Sequence, residues 1–469
     1  MTSYSEQLAR WFAALKYSDL PADVAASTKL RILDVIGLVL ASVNTPFGRA
    51  LRETALALGA GRESRLLGSG ERVSPMAAAL ANGTLSQALE YDDTHNETII
   101  HVSSPTVATA LALGEAAASN GREMLAMVAG ANELICRIGL VAPGRFHPVG
   151  FHPSGVMGTF GAAYAASRLL GLDIVRMRNA VGIAGSQASG ILACWEDGTQ
   201  SKFLHPGWSA LSGIAAAVLA RAGCTGPAPV FESRFGFFAS HVQDKDYPLD
   251  FARMTAALGE VWESRNISFK PFPTAHVIHP FLDAMLHLHH RAGLRADDVE
   301  RIVCPIAEYM IPVVCEPVAE KVAPASDSHG RVSLQYSLAE ALYYGRLGVD
   351  GYSEASLHNP QILALARKIS CVVDNDAPGR SQYKGWVIAH TRDGRKIERI
   401  EPHNRGSAQN PMTAGEVKAK FRENAARALA AEQAEAVIAA VENLDQAGSV
   451  RTLIDRCVVN RQAAGKELP

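Results

Sequence analysis

A charge imbalance, paired cysteines and a long uninterrupted apolar run are all missing from this sequence, and each absence narrows what the chain can be. A formal net charge of -2, with no local cluster of lysines and arginines, leaves no electrostatic footprint for nucleic acid or an anionic membrane surface. Apolar stretches such as Ile32 to Val43 are interrupted by Asp34 and fall short of the roughly 20 residues that span a bilayer. The seven cysteines stand singly with no CxxC pair, so their spacing encodes neither a disulfide framework nor a zinc or iron–sulfur ligand set. Reduced thiols in a cytoplasmic protein are expected. The opening MTSYSEQLARWFAAL carries Glu6 and no basic flank, and does not read as a signal peptide. GxSxG, GxGxxG and GxxxxGK[ST] are absent too, which removes the local support for a serine nucleophile elbow or a nucleotide phosphate site.

What is present is a globular composition, 48% hydrophobic against 20% charged, in a chain of 469 residues that is too long for one ordinary core. Two domains are expected. Up to about residue 265 the apolar spacing is helical, with no convincing alternating strand, and Pro21 falls near the first position of a helix. The texture changes at Asn266 with the Pro-rich NISFKPFPTAHVIHP, followed by a helix over Phe281 to Ala292. VERIVCPIAEYM, ISCVVDN and KGWVIAHT then read as strands, and Asp393-Gly394 as a hairpin turn into KIERIE. Helical periodicity returns from Thr413 onward. The fold class expected is mainly α: a large all-helical domain built from both chain ends (1–266 and 408–469) and a smaller α+β lid domain (267–407).

Two Ala/Gly-rich helical runs between Phe146 and Gly223 organise the chemistry. Each is entered through a turn rich in His, Pro and Gly, one carrying His147 and His152, the other Glu196, Asp197, Lys202 and His205. Small residues let helices approach closely, and the helix mouths favour an anion. An unpaired buried ammonium is expensive, so Lys202 is expected to reach solvent, pair with Glu196 or Asp197, or bind an anionic ligand. A second cluster, Glu90, Asp92, Asp93, Thr94, His95 and His101, holds more ionisable groups than helix capping requires. A third, Lys270, His276 and His279, sits at the expected domain junction, where ligand clefts form. His287, His289 and His290 read instead as a solvated helix face. Together these residues suit a small polyanion and proton transfer at a carbon next to a carboxylate. On residues alone, dehydration, epimerisation and decarboxylation stay open.

At LRILDVIGLVLAS, ANGTLSQALEYDDTH, GFHPSGVMGTFGAAYAASRLLGL, EDGTQSKFLHPGW, RFGFF, NISFKPFPTAHVIHP and GSAQNPMT the chain resembles the MmgE/PrpD family. That resemblance implies a cleft between two domains, no metal and no organic cofactor, and a homodimer. Its motifs map the DDT loop onto Asp92, Asp93 and Thr94, with Glu90 where decarboxylase-like members resemble an Asp. They map other functional positions onto His101, His152, Lys202, Lys270, His276 and Tyr309. The expected catalytic set is His101, His152, Asp93, Lys202, Lys270 and His276, with the lysines on substrate carboxylates and Asp93 orienting a histidine. Glu90, Asp92, Thr94, His205 and Tyr309 are expected to bind substrate. The expected activity is a hydro-lyase like 2-methylcitrate dehydratase, with an iminodisuccinate-type epimerase and then a cis-aconitate decarboxylase-like enzyme behind it. A catalytically silent carboxylate-binding protein is the non-enzyme alternative. The only expected partners are a small anionic carboxylate and a second copy of the chain, with neither nucleic acid nor membrane.

Overall fold

The computed structural model describes residues 2–58 and 60–458; residues 1, 59 and 459–469, which the expected helical domain includes, lie outside the described residues. The chain is mainly helical, as its periodicity implies. Helix starts follow local chemistry. Asn120 caps Gly121–Gly139 by accepting from Glu123 N at 2.9 Å, and Asp173 caps Ile174–Gly185 by accepting from Arg176 N at 2.8 Å. Thr413 and Glu416 form a reciprocal capping box at the head of Ala414–Ala425. Pro21 sits one position earlier than expected, as the cap preceding Ala22–Ser42.

The largest apolar cluster draws on both chain ends: Phe12, Ile36, Leu125, Val156 and Phe160 meet Phe421, Val437 and Leu453. The helix Leu204–Arg221 packs between Pro153–Leu169 and Pro75–Gln87. This contact needs residues without side chains: a Cβ on Gly83 would stand only 2.8 Å from Gly207 Cα. The segment Gln200–Arg221, longer than the apolar stretches expected from the sequence, is long and apolar enough to cross a bilayer, yet two-thirds of its apolar window is buried within the protein. Its alanines and glycines serve close helix packing instead.

A second apolar cluster, including Phe281, Met285, Ile302, Leu338 and Val387, lies between residues 272 and 389. Its sheet has four strands in the order Ile369–Val373, Val299–Ile306, Gly385–Thr391, Lys396–Glu401. The first pair is parallel and the others antiparallel. Gly385–Thr391 alternates buried and half-buried residues, as a strand with one covered face must. The turn at Asp393-Gly394 closes the expected hairpin, with Gly394 at φ +86°. The reading of VERIVCPIAEYM as one strand is corrected: pairing ends at Ile306, and Tyr309 lies in a short 3-10 turn beyond it.

The expectation of no strand before residue 265 also fails in a useful place. Thr94–His95 pairs antiparallel with Ile267–Ser268, Thr94 opposite Ser268 and His95 opposite Ile267. Two residues per strand are too few to show in an alternation pattern. This short ladder brings the DDT loop beside the segment that carries Lys270.

Candidate active site

The loop after Pro75–Gln87 folds back on itself through strained backbone. Glu90 and Ile99 both adopt left-handed conformations, φ +52° and +56°, and the latter is β-branched, for which this region is costly. Both line one cavity. Two carbonyl staples hold the loop against the Lys270 segment: Tyr91 Oη donates to Pro271 O at 3.0 Å, and one Arg331 nitrogen donates to Leu89 O at 3.0 Å and Pro273 O at 2.9 Å. From behind, Lys420 of the helix Ala414–Ala425 donates to Tyr91 O at 2.8 Å and pairs with Asp34 at 2.8 Å.

Glu90 is the centre of charge. Its Oε2 accepts from Lys202 Nζ at 2.5 Å, its Oε1 lies 3.4 Å from Lys270 Nζ, and its carbonyl accepts from Lys270 at 3.0 Å. Burial pushes the carboxyl up, but Lys202, Lys270 and His101 outweigh it and hold it well below the usual range. Burial in turn draws Lys270 below its ordinary value, against Glu90 and Asp92. Lys202 pairs with neither of the carboxylates expected for it: Glu196 and Asp197 are exposed, and its carboxylate comes from 112 positions away.

His101 stands between two carboxylates. Its Nδ1 lies 2.9 Å from Asp92 Oδ1, off the line of a straight hydrogen bond, and its Nε2 lies 3.6 Å from Glu90 Oε1. Asp92 is fixed by Ser104 Oγ at 2.8 Å and Gln87 Nε2 at 3.3 Å. The histidine contact expected of Asp93 is thus made by Asp92. Asp93 is turned away, held by Arg31 at 2.7 Å and by the backbone N–H and hydroxyl of Ser103. Adjacent carboxylates on this loop point to opposite sides, Asp92 to His101 and Asp93 to Arg31.

Other histidines approach the same space. His152, just ahead of Pro153–Leu169, meets His205 with their Nδ1 atoms 2.9 Å apart. Burial, then the neighbouring His205 and Lys202, pushes His152 well below its ordinary value, and burial brings His205 to about 4. His147 stacks on Trp195 at 5.7 Å and 6°, and burial brings it to about 3. His276 accepts from Asn404 Nδ2 at Nε2, 2.8 Å away, which places its proton on Nδ1; burial again holds the ring neutral. His279 spends Nε2 on Thr274 O at 3.1 Å, and His95 contacts Thr98 Oγ1 at 2.8 Å.

A cavity of about 270 Å³ lies among these groups, with His95 and His279 off its wall. Of the residues expected in the site, Glu90, Thr94, His101, His152, Lys202, His276 and Tyr309 line it. Asp92, Asp93, Lys270 and His205 do not: each stands behind a lining residue or, for Asp93, apart from it. Met310, Pro312, Val313 and Val332 supply an apolar wall from the second apolar body. Sequence reading missed Arg380 and Trp195, also on the wall, and neither sits in a motif that would have flagged it. Besides His101 Nδ1, which faces Asp92, five buried polar atoms on lining residues have no hydrogen-bond partner among the described residues: Thr94 Oγ1, His147 Nδ1, Trp195 Nε1, His276 Nδ1 and Tyr309 Oη. Such groups suit a ligand rich in acceptor oxygens. A larger cavity of about 470 Å³, next to Arg31, holds none of the clustered histidines or lysines. Among the described residues no cluster of three or more metal-ligating side chains forms, and His287, His289 and His290 are partly or fully exposed on their helix.

Comparison with known proteins matches the MmgE/PrpD N-terminal domain over residues 6–250 and the MmgE/PrpD C-terminal domain over residues 272–446. A cis-aconitate decarboxylase-like protein, oryM, of Aspergillus oryzae is 27% identical over 469 residues, covering 96% of each chain. The cis-aconitate decarboxylase of Mus musculus is 27% identical over 95% of this chain and 91% of its own. A 2-methylcitrate dehydratase of Cupriavidus necator is 26% identical over 60% of this chain and 59% of its own.

Proposed function

The chain belongs to the MmgE/PrpD family, and from that premise we propose that it is a lyase acting on a small di- or tricarboxylate, with decarboxylation as the first reading. The observation that carries this is the division of labour among the histidines. Burial holds His147, His152 and His276 neutral, whereas His101 sits against Asp92 and Glu90. A carboxylate behind one imidazole nitrogen suits the other to carry a proton to carbon. Decarboxylation needs one such carrier: the carbon–carboxylate bond breaks, carbon dioxide leaves, and the electron pair left on carbon takes the proton from His101. The step is redox-neutral. The Lys202 ammonium, and Lys270 behind it, offset the negative charge that develops as the pair delocalises into a neighbouring carboxylate. The apolar wall of Met310, Pro312 and Val313 favours losing a charged carboxylate as a neutral gas.

This ordering differs from the hydro-lyase expected from motifs. Dehydration wants a second group to protonate the departing hydroxyl, and a neutral imidazole is a poor acid for that. The similarity to decarboxylases along nearly the whole chain supports the revision. Dehydration remains the second reading, favoured by the partial match to a 2-methylcitrate dehydratase and by the EDGT segment before Lys202.

The test is incubation with cis-aconitate, 2-methylcitrate, citrate and iminodisuccinate in deuterated water, followed by proton NMR. Release of carbon dioxide with one deuterium at the quenched carbon supports decarboxylation. A new alkene from a hydroxy acid would replace it by dehydration, and deuterium in an otherwise unchanged substrate by epimerisation. Binding without any turnover would overturn the enzyme reading.

A further inference from the structure

The cavity has two cationic poles of different kinds. Lys202 and Lys270 are committed to Glu90. Arg380, on the wall contributed by the loop before Gly385–Thr391, has no hydrogen bond and no ion pair among the described residues. Its guanidinium lies 4.2 Å from the centre of the Tyr309 ring, and its stem crosses Gly144 from the opposite half of the chain, where a Cβ would stand 3.0 Å from Arg380 Cδ. Gly144 itself is left-handed at φ +74°. The arginine is thus positioned by packing and cation–π contact while its five N–H donors stay unspent. Glu90 is the single carboxylate among the lining residues, so the wall offers Arg380 no counter-charge. Beside it, the Tyr309 hydroxyl is buried and unpartnered.

We propose that Arg380 and Tyr309 form a second carboxylate subsite, which holds a carboxylate remote from the reacting carbon and so selects di- and tricarboxylates over monocarboxylates. The inference rests on the carboxylate-lyase reading and adds the determinant of substrate class. A guanidinium grips a carboxylate through two parallel N–H bonds, and the Tyr309 hydroxyl supplies a third donor. Because Arg380 arrives from beyond residue 270 and Glu90 from before it, a substrate bound at both poles bridges the two halves of the chain.

Calorimetric titration with propane-1,2,3-tricarboxylate and with butyrate tests this on wild type, Arg380→Gln, Arg380→Lys, Tyr309→Phe and Lys202→Met, with thermal melting to check folding. Arg380→Gln is expected to weaken tricarboxylate binding about 10- to 100-fold while leaving butyrate unchanged. Arg380→Lys should recover part of the loss, because it restores charge without the planar fork, and Tyr309→Phe should weaken binding less than Arg380→Gln. If Arg380→Gln binds the tricarboxylate as wild type does while Lys202→Met loses it, the subsite is overturned and the lyase reading stands. If folded wild type binds neither acid, both fall.

Discussion

Lys202 and Glu90 meet at 2.5 Å across the cavity wall, although 112 positions separate them, and Lys270 approaches the same carboxylate from its other oxygen. One anion between two ammonium groups is balanced only while all three are in place. Removing one member of a buried pair strands the remaining charge, which costs about 3–5 kcal/mol. Glu90→Ala is therefore expected to lose stability of that order, measured as a shift in the urea unfolding midpoint. An unshifted midpoint would mean the pair does not form.

Asp92 and Asp93 are adjacent, yet their substitutions should separate cleanly. Asp92→Asn removes the carboxylate at His101 Nδ1 and should lower kcat by about 10²- to 10⁴-fold with little change in stability. Asp93→Asn leaves Arg31 without its counter-ion and should destabilise the fold by about 3–5 kcal/mol, while the molecules that remain folded keep their kcat. Equal kcat losses in both variants would remove the distinction.

Acid should loosen this protein well above the carboxylate range. His95 and His205 are lowered by burial from 6.5 to about 4, and His147 to about 3. Folded, they bind protons less readily than unfolded. Their stabilisation is complete above 6.5 and is lost as pH falls from 6.5 towards 4, by up to about 1.4 kcal/mol per pH unit for each group. Asp34, raised by burial from 3.8 to about 6, runs the other way, since it contributes stability below 3.8 that is lost as pH rises through 6. Asp283, raised by burial to about 6, Glu340, raised to about 7, and Glu133 act with it, but burial also pushes His152, His276 and His279 well below their ordinary value, so six buried histidines against four carboxylates leave a net fall on acidification. Urea midpoints taken from pH 7 to 4.5 should decline, and His205→Gln should flatten the slope. A flat wild-type profile would contradict the buried neutral histidines.

Helix periodicity and the Asp393-Gly394 hairpin were legible because they are local, and the motif segments located Glu90, Thr94, His152, Lys202 and His276 on the cavity wall. What the chain order hid is pairing at long range. Nothing near Lys202 announces Glu90 as its partner, and Asp92 cannot be told from Asp93 until the loop's left-handed turn at Glu90 fixes which way each points. Arg380 was invisible for the opposite reason. A single arginine in an irregular loop carries no pattern, and its meaning lies in having no counter-ion at a cavity wall. His205 was misjudged by one layer, because its helix face delivers it to the back of His152 rather than into the cavity.

Arg331 offers the sharpest separation of positioning from stability. It is buried, and one nitrogen donates to Leu89 O, next to Glu90, and to Pro273 O, three residues beyond Lys270. The pairing of Glu90 with Lys270 therefore depends on a donor that touches neither side chain. Arg331→Lys keeps a cation but cannot span both carbonyls with the same planar geometry. Its expected effect is a fall in kcat of about tenfold with KM for the reacting acid nearly unchanged, since the carboxylate grips remain while the proton carrier and the ammonium pair lose register. Arg331→Met should lose more, and part of its loss should appear as lowered stability, because two buried carbonyls are left without a donor. Steady-state kinetics on both variants, beside their urea midpoints, distinguish the cases. A change in stability with kcat intact in Arg331→Lys would reduce Arg331 to a structural staple.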